Sequence, residues 1–280
     1  MKSSKLEELK KLREQINLEV KGLENYDITK PNIIIANHNC LMDIFCLPMS
    51  LPEEVISLIS ARLIYKKEHP RQEMVEKYLK AMPIEAHGGK IYSDICLRAA
   101  SELLQSGHSV SIFPEGAYVE ENTVYKGRTG ATRILYTARI KGIEANLVPV
   151  AIDVKKNKET LDSYSKFPNK VVVNILKPID YSKFYKGFNQ SYTGEERNFY
   201  LHQPIDEGMK QIAETLNREY KDEYIILRPK GNVIFANGET VITSLAQNPT
   251  TYKRYSKELE TRVKICLLYT SPSPRDRQKS

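Results

Sequence analysis

The feature that most restricts how this chain can fold is an alternation, starting at Pro31, between short apolar runs and longer stretches of helical period. Residues 33–36, 55–59, 82–84, 110–113, 147–150 and 171–173 are almost wholly apolar and too short for helices. That is the pattern of strands buried on both faces. The clearest helix between them covers about residues 92–106, with Ile95, Ala99, Leu103 and Leu104 on one side and Gly107 placed to end it. Such alternation predicts an α/β fold, a largely parallel or mixed sheet flanked by helices.

The flanks read differently. Leu6, Leu9, Leu12, Ile16 and Val20 recur at helical spacing, so residues 1–25 are expected to form an amphipathic helix. Its stripe packs either on the protein's own core or in a lipid interface. Residues 26–185 make up the α/β domain. Residues 186–265 form an extension with a helix at 205–220 and a hairpin at 233–242, whose Asn237-Gly238 suits a type I′ turn. Residues 266–276, CLLYTSPSPRD, resemble a translated sequencing adapter, which sets 266–280 outside the fold and leaves the natural C-terminus open.

The 280 residues are 41% hydrophobic and 28% charged, ordinary for a globular protein, and carry a formal charge of +7. Three basic residues and one acid of that charge lie in the tail. The remaining excess is compatible with an anionic membrane surface, but no basic motif interleaved with aromatics points to nucleic acid. No run approaches the roughly 18 apolar residues of a spanning helix, and the N-terminus lacks a secretory segment. The expected location is cytoplasmic, peripheral on the inner face of the cell membrane. Four cysteines without a CxxC pair indicate neither a disulfide framework nor a metal site.

Two constellations carry chemistry. Asn37-His38-Asn39-Cys40-Leu41-Met42-Asp43 follows the run at 33–36, and a histidine ending a parallel strand enters the crevice where open α/β sheets bind ligands. Asp43, one turn into the next helix, can fold back to orient the imidazole and stabilise its protonated form. With no serine nucleophile in evidence, His38 is a candidate general base towards a substrate hydroxyl. By spacing alone, the pair also fits a histidine satisfied near a helix cap. Phe113-Pro114-Glu115-Gly116 ends another expected strand and should reach the same crevice. There Gly116 permits close backbone approach, and Glu115 either accepts hydrogen bonds from substrate hydroxyls or braces the loop. Lys126, Arg128 and Arg133 lie in a Gly-containing loop leading into a helix, which is either an anion site or a solvated basic loop. That loop lacks the spacing of a nucleotide-triphosphate site.

Taken in order, NHNCLMDIF, IFPEGA, YKGRTGATRIL and LVPVAI resemble the lysophosphatidate and glycerol-phosphate acyltransferase superfamily over roughly residues 30–180. The resemblance implies a glycerolipid acyltransferase-like fold, a thioester co-substrate (acyl-CoA or acyl-carrier protein), no further cofactor or metal, and a lysolipid acceptor. It makes His38 the base and Asp43 its partner. It places Asn37, Phe113, Pro114, Glu115 and Gly116 with the substrate, and aligns Lys126 and Gly127, beside Arg128, with a Lys-Gly step common in the family. Two positions depart from the pattern. Where the family usually carries arginines that bind the acceptor's phosphate, this chain has Ala86 and Tyr118. Acylation of lysophosphatidic acid, acylation of a phosphate-free lipid, thioester hydrolysis, and noncatalytic binding of an acyl carrier or lipid therefore all stay open at this level.

Overall fold

The structure is a computed structural model. It describes residues 13–65, 75, 78–84, 89–119, 122–155, 170–187, 194–225, 232–234, 239–242 and 249–268. In chain order the elements are β1 (Leu18–Lys21), β2 (Asn32–Ala36), α1 (Asp43–Met49), β3 (Val55–Ser60), α2 (Ala61–Tyr65), β4 (Lys80–Ile84), α3 (Gly89–Gln105), β5 (Ser109–Ile112) and β6 (Thr123–Tyr125). They continue with α4 (Gly130–Ile140), β7 (Asn146–Lys155), β8 (Lys170–Ile175), α5 (Ser182–Gly187), α6 (Gly194–Leu216), β9 (Glu219–Lys221), β10 (Asn232–Ile234), β11 (Thr240–Ile242) and α7 (Pro249–Leu268).

Among the described residues, seven strands form one sheet in the order β1-β8-β7-β2-β5-β3-β4. The five from β7 to β4 are mutually parallel, β8 runs against β7, and β1 is parallel to β8. Each apolar run feeds two cores because side chains alternate across a strand. Ile33, Ile35, Ile56 and Leu58 face α3, α4, α6 and α7. Ile34, Ala36, Val55 and Ile59 face α1 and α2. Helices therefore cover both faces, as a mainly parallel sheet requires.

The two strand prolines cost the sheet little. Pro83 lies on the edge strand β4, a position where a missing donor is tolerated. Pro149 lies in the sheet interior, but Leu176 N–H donates to its carbonyl at 3.0 Å. Its nitrogen points to that same side, beyond the last β7–β8 pair, Val150 with Ile175. The one bond that proline removes is the reciprocal bond to Leu176 O, at the very end of the β7–β8 ladder. At the β4 edge α7 packs alongside, and Arg262 Nε donates to the Ala81 carbonyl at 2.9 Å.

Helix α3 ends as expected. Gly107 has φ 81, its N–H bonds to Leu104 O, and His108 N–H bonds to Leu103 O, which together form a Schellman cap. Asn217, at φ 52, ends α6 in the same way through Ala213 and Glu214.

Three expectations need correction. Residues 18–21 are an edge strand rather than part of a helix, because Leu18 and Val20 also satisfy a period of two and pair along β8; Leu6, Leu9 and Leu12 lie outside the described residues. Helix α6 covers 194–216, not 205–220. It runs through Pro204, and residues 219–221 leave it to pair with β6. Residues 266–268 belong to the last turn of α7, and Cys266 is buried in the core, so the fold reaches into the segment set apart as a tail. The β10–β11 pairing is antiparallel as expected, while the Asn237-Gly238 turn lies outside the described residues.

A helix interior tolerates Pro204 because its lost partner is replaced. Proline removes the N–H that would bond the carbonyl four residues earlier, that of Tyr200. The Tyr136 hydroxyl, from α4, donates to that carbonyl at 3.2 Å. Tyr136→Phe is expected to cost about 1 kcal/mol in urea unfolding. In a Pro204→Ala background, where residue 204 regains its N–H, the cost should shrink. An equal cost in both backgrounds would show that the two features are not coupled.

Candidate active site

Strands β2 and β5 are parallel neighbours with Ile35 opposite Ile112, so the segments leaving their C-terminal ends emerge side by side. His38 leaves β2 there, and Phe113 to Gly116 leave β5. This register brings the two constellations side by side, as their strand-end positions led us to expect.

Asp43 is the first residue of α1, and its carboxylate turns back over the loop before the helix. One oxygen, Oδ2, accepts Asn39 N–H at 2.6 Å and Cys40 N–H at 2.8 Å, and lies 3.1 Å from His38 Nδ1. The side chain is 0% exposed, where an unbonded carboxylate would be costly. A carboxylate only accepts, so Nδ1 carries the proton and Nε2 keeps a lone pair. His38 is 12% exposed, so its imidazole is held from inside and reachable at its rim. One face stacks on Phe113 at 4.1 Å between centroids and 18° between planes. Tyr118, 51% exposed, leans on the ring at 4.4 Å and 58°.

Glu115 is the buried brace of this site. At 1% exposure, one carboxyl oxygen accepts His38 N–H at 2.8 Å and the other accepts Tyr125 N–H at 2.9 Å. The carboxyl thus joins the end of β2 to β6. Gly116, at φ 77, closes the turn through its N–H to Phe113 O, in a backbone region that favours glycine. Val119 N–H then donates to His38 O at 2.8 Å, and Arg128 N–H donates to Pro114 O at 2.8 Å.

Asn37, expected beside the substrate, is 1% exposed and fully engaged. Its amide donates to Ile152 O and to Asn39 Oδ1 and accepts Ile152 N–H, docking the loop on β7.

The basic loop, read from the sequence as either an anion site or a solvated loop, has its side chains engaged within the protein. Lys126 Nζ is 2.6 Å from Asp222 and 3.7 Å from Asp206. Arg128 donates to Ile225 O at 3.1 Å and lies over the Tyr224 ring. Arg133 pairs with Asp94. The basic side chains thus clamp the segment after α6 and the start of α3. Gly127 has no room for a side chain: a Cβ there would lie 2.4 Å from Ile205 and 2.8 Å from Pro114. Of the two departures from the family pattern, Tyr118 is in the site, and Ala86 lies outside the described residues.

Sequence reasoning missed Arg218. It follows the cap of α6, is 10% exposed, and reaches Asn39 Oδ1 at 2.7 Å and Asp153 Oδ1 at 3.3 Å. No local motif marks it, because its partners lie 179 and 65 residues away in sequence.

Residues 17–153 match the Acyltransferase family model. No curated protein matches the chain in sequence. The crystal structure of the 1-acyl-sn-glycerophosphate (LPA) acyltransferase PlsC from Thermotoga maritima aligns at 22% identity, over 75% of this chain and 82% of that one, with a TM-score of 0.47.

Burial pushes the Glu115 carboxyl up to about 8 from its ordinary 4.5, although the two N–H bonds oppose the rise. Across that window the folded protein keeps a proton that the unfolded chain has released. The Glu115 contribution to stability is therefore full below the ordinary value and is lost as pH rises towards the folded one. Urea unfolding at about pH 5 and about pH 8.5 should show a larger loss with pH in the wild type than in Glu115→Gln. Identical losses in the two proteins would contradict this.

Proposed function

Because residues 17–153 match the Acyltransferase family model, we propose that this chain moves a fatty acyl group from a thioester, acyl-CoA or acyl-carrier protein, to a hydroxyl of a lysolipid such as lysophosphatidic acid. The observation that carries the reading is His38 with Nδ1 on the buried Asp43 carboxylate and Nε2 left as the basic nitrogen. Nε2 takes the proton from the acceptor hydroxyl as its oxygen attacks the thioester carbonyl. Asp43 stabilises the imidazolium without taking its proton. Collapse of the tetrahedral intermediate forms the ester, breaks the C–S bond and releases a thiolate, which receives the proton from Nε2. The residues supply position and proton transfer, with no further cofactor in the scheme.

One set of observations favours a second acceptor class, a lipid without phosphate. Lys126, Arg133 and Arg218 are each paired with an aspartate, Arg128 is turned to Ile225 and Tyr224, and the side chain leaning on His38 is a tyrosine. Among the described residues, no helix is long and apolar enough to cross a membrane. The working location is peripheral, on the inner face of the cell membrane, where lysolipid acceptors lie.

Purified protein given labelled acyl-CoA and acyl-carrier protein with phosphate-bearing and phosphate-free lysolipids tests both readings. His38→Ala should lower transfer by roughly 10²- to 10⁴-fold. Equal transfer by the two proteins would refute the mechanism, and transfer confined to phosphate-free acceptors would reject lysophosphatidic acid. Free fatty acid released without acceptor would identify a thioesterase instead.

A further inference from the structure

Arg218 stands outside the segment matched to the acyltransferase family, yet it reaches the loop that carries the catalytic pair. Three features put it there. Asn217 caps α6 in the left-handed region and turns the chain, β9 pairs in parallel with β6, and the Lys126 ion pair with Asp222 secures the residues that follow. The guanidinium is thereby delivered, nearly buried, with one nitrogen on Asn39 Oδ1 and another on Asp153 of β7.

Asn39 is the joint of the loop. Its side-chain oxygen also accepts from Asn37, its side-chain nitrogen donates to Val119 O, and its backbone N–H is the shortest bond to Asp43 Oδ2. A displacement of Asn39 moves a donor off the carboxylate that orients His38. A planar cation suits this place because it bonds a carboxylate and an amide oxygen at once, in a fixed geometry.

We propose that Arg218 is a positioning residue for the His38–Asp43 pair, acting through Asn39, so that the segment after α6 completes an active site whose reacting groups lie in the matched segment. This rests on the acyl-transfer reading for its kinetic consequence, but not for its structural one. Loss of the guanidinium lowers the rate of the chemical step and leaves substrate binding largely as it was.

Arg218→Gln and Arg218→Lys, compared with wild type, test the proposal by steady-state kinetics well below each melting temperature. Proton NMR of the His38 Nδ1–H bonded to Asp43 gives a second readout that needs no substrate. In Arg218→Gln, kcat is expected to fall on the order of 10- to 100-fold, the scale of a small misplacement at a reacting centre, with the Nδ1–H resonance lost to solvent exchange. KM should stay within about twofold, and Arg218→Lys, which keeps the charge beside Asp153, should recover part of the rate and of the resonance. A kcat within about twofold of wild type with the resonance intact overturns the proposal, as does a rise in KM at unchanged kcat, which would make Arg218 a substrate ligand. If the wild type transfers no acyl group, the acyl-transfer reading falls, and the resonance comparison alone decides the role of Arg218.

Discussion

The site depends on one buried carboxyl group whose two oxygens are both bonded within the protein. Glu115 takes a backbone N–H from the end of β2 on one oxygen and a backbone N–H from β6 on the other. The histidine loop, the turn after β5 and the strand leading into the basic loop thereby form one unit. Burial works against the charge and the two donors work for it, so the group is costly to bury and more costly to leave unbonded. The return is a fixed His38 backbone, from which Asp43 can aim the imidazole.

Polar residues around the crevice divide by whether their bonds are already made. Asn37, Asn39, Asp43 and Glu115 are buried, and their bonds within the protein build the loop. His38 and Tyr118 retain surface. The charged groups further out, from Lys126 to Asp222, join the C-terminal part of the chain to the loop after β5, and α6 lies in the same core as Ile33 and Ile35. The segment after β8 is thus joined to the sheet by packing and to the active site by Arg218.

The central strands were legible because each is a nearly unbroken apolar run, and strands covered on both faces have little choice of composition. Leu18 to Lys21 were not, since Ile16 and Val20 fit a helical stripe while Leu18 and Val20 fit a strand, and only pairing with β8 decides between them. The start of α6 was hidden by Pro204, whose cost is met by a tyrosine 68 residues earlier in sequence. Histidine, aspartate and the Phe113 to Gly116 turn could be found from motif and strand-end position. The surroundings of Lys126 and Arg128 could not, because Asp206 and Asp222 beside the one, and Tyr224 and Ile225 beside the other, lie far along the chain. Arg218 is the same problem in its purest form, since its guanidinium reaches Asn39 and Asp153, both distant in sequence.

The aromatic packing of His38 has a stereochemical consequence. Phe113 is stacked on the imidazole, Tyr118 leans on the ring and Asp43 sits at Nδ1, while the lone pair of Nε2 lies in the ring plane. Under the proposed reaction, the acceptor hydroxyl would have to meet Nε2 along its in-plane lone pair, edge-on to the imidazole. On that reading, the two rings beside the imidazole would make the choice of hydroxyl a matter of approach trajectory as well as affinity.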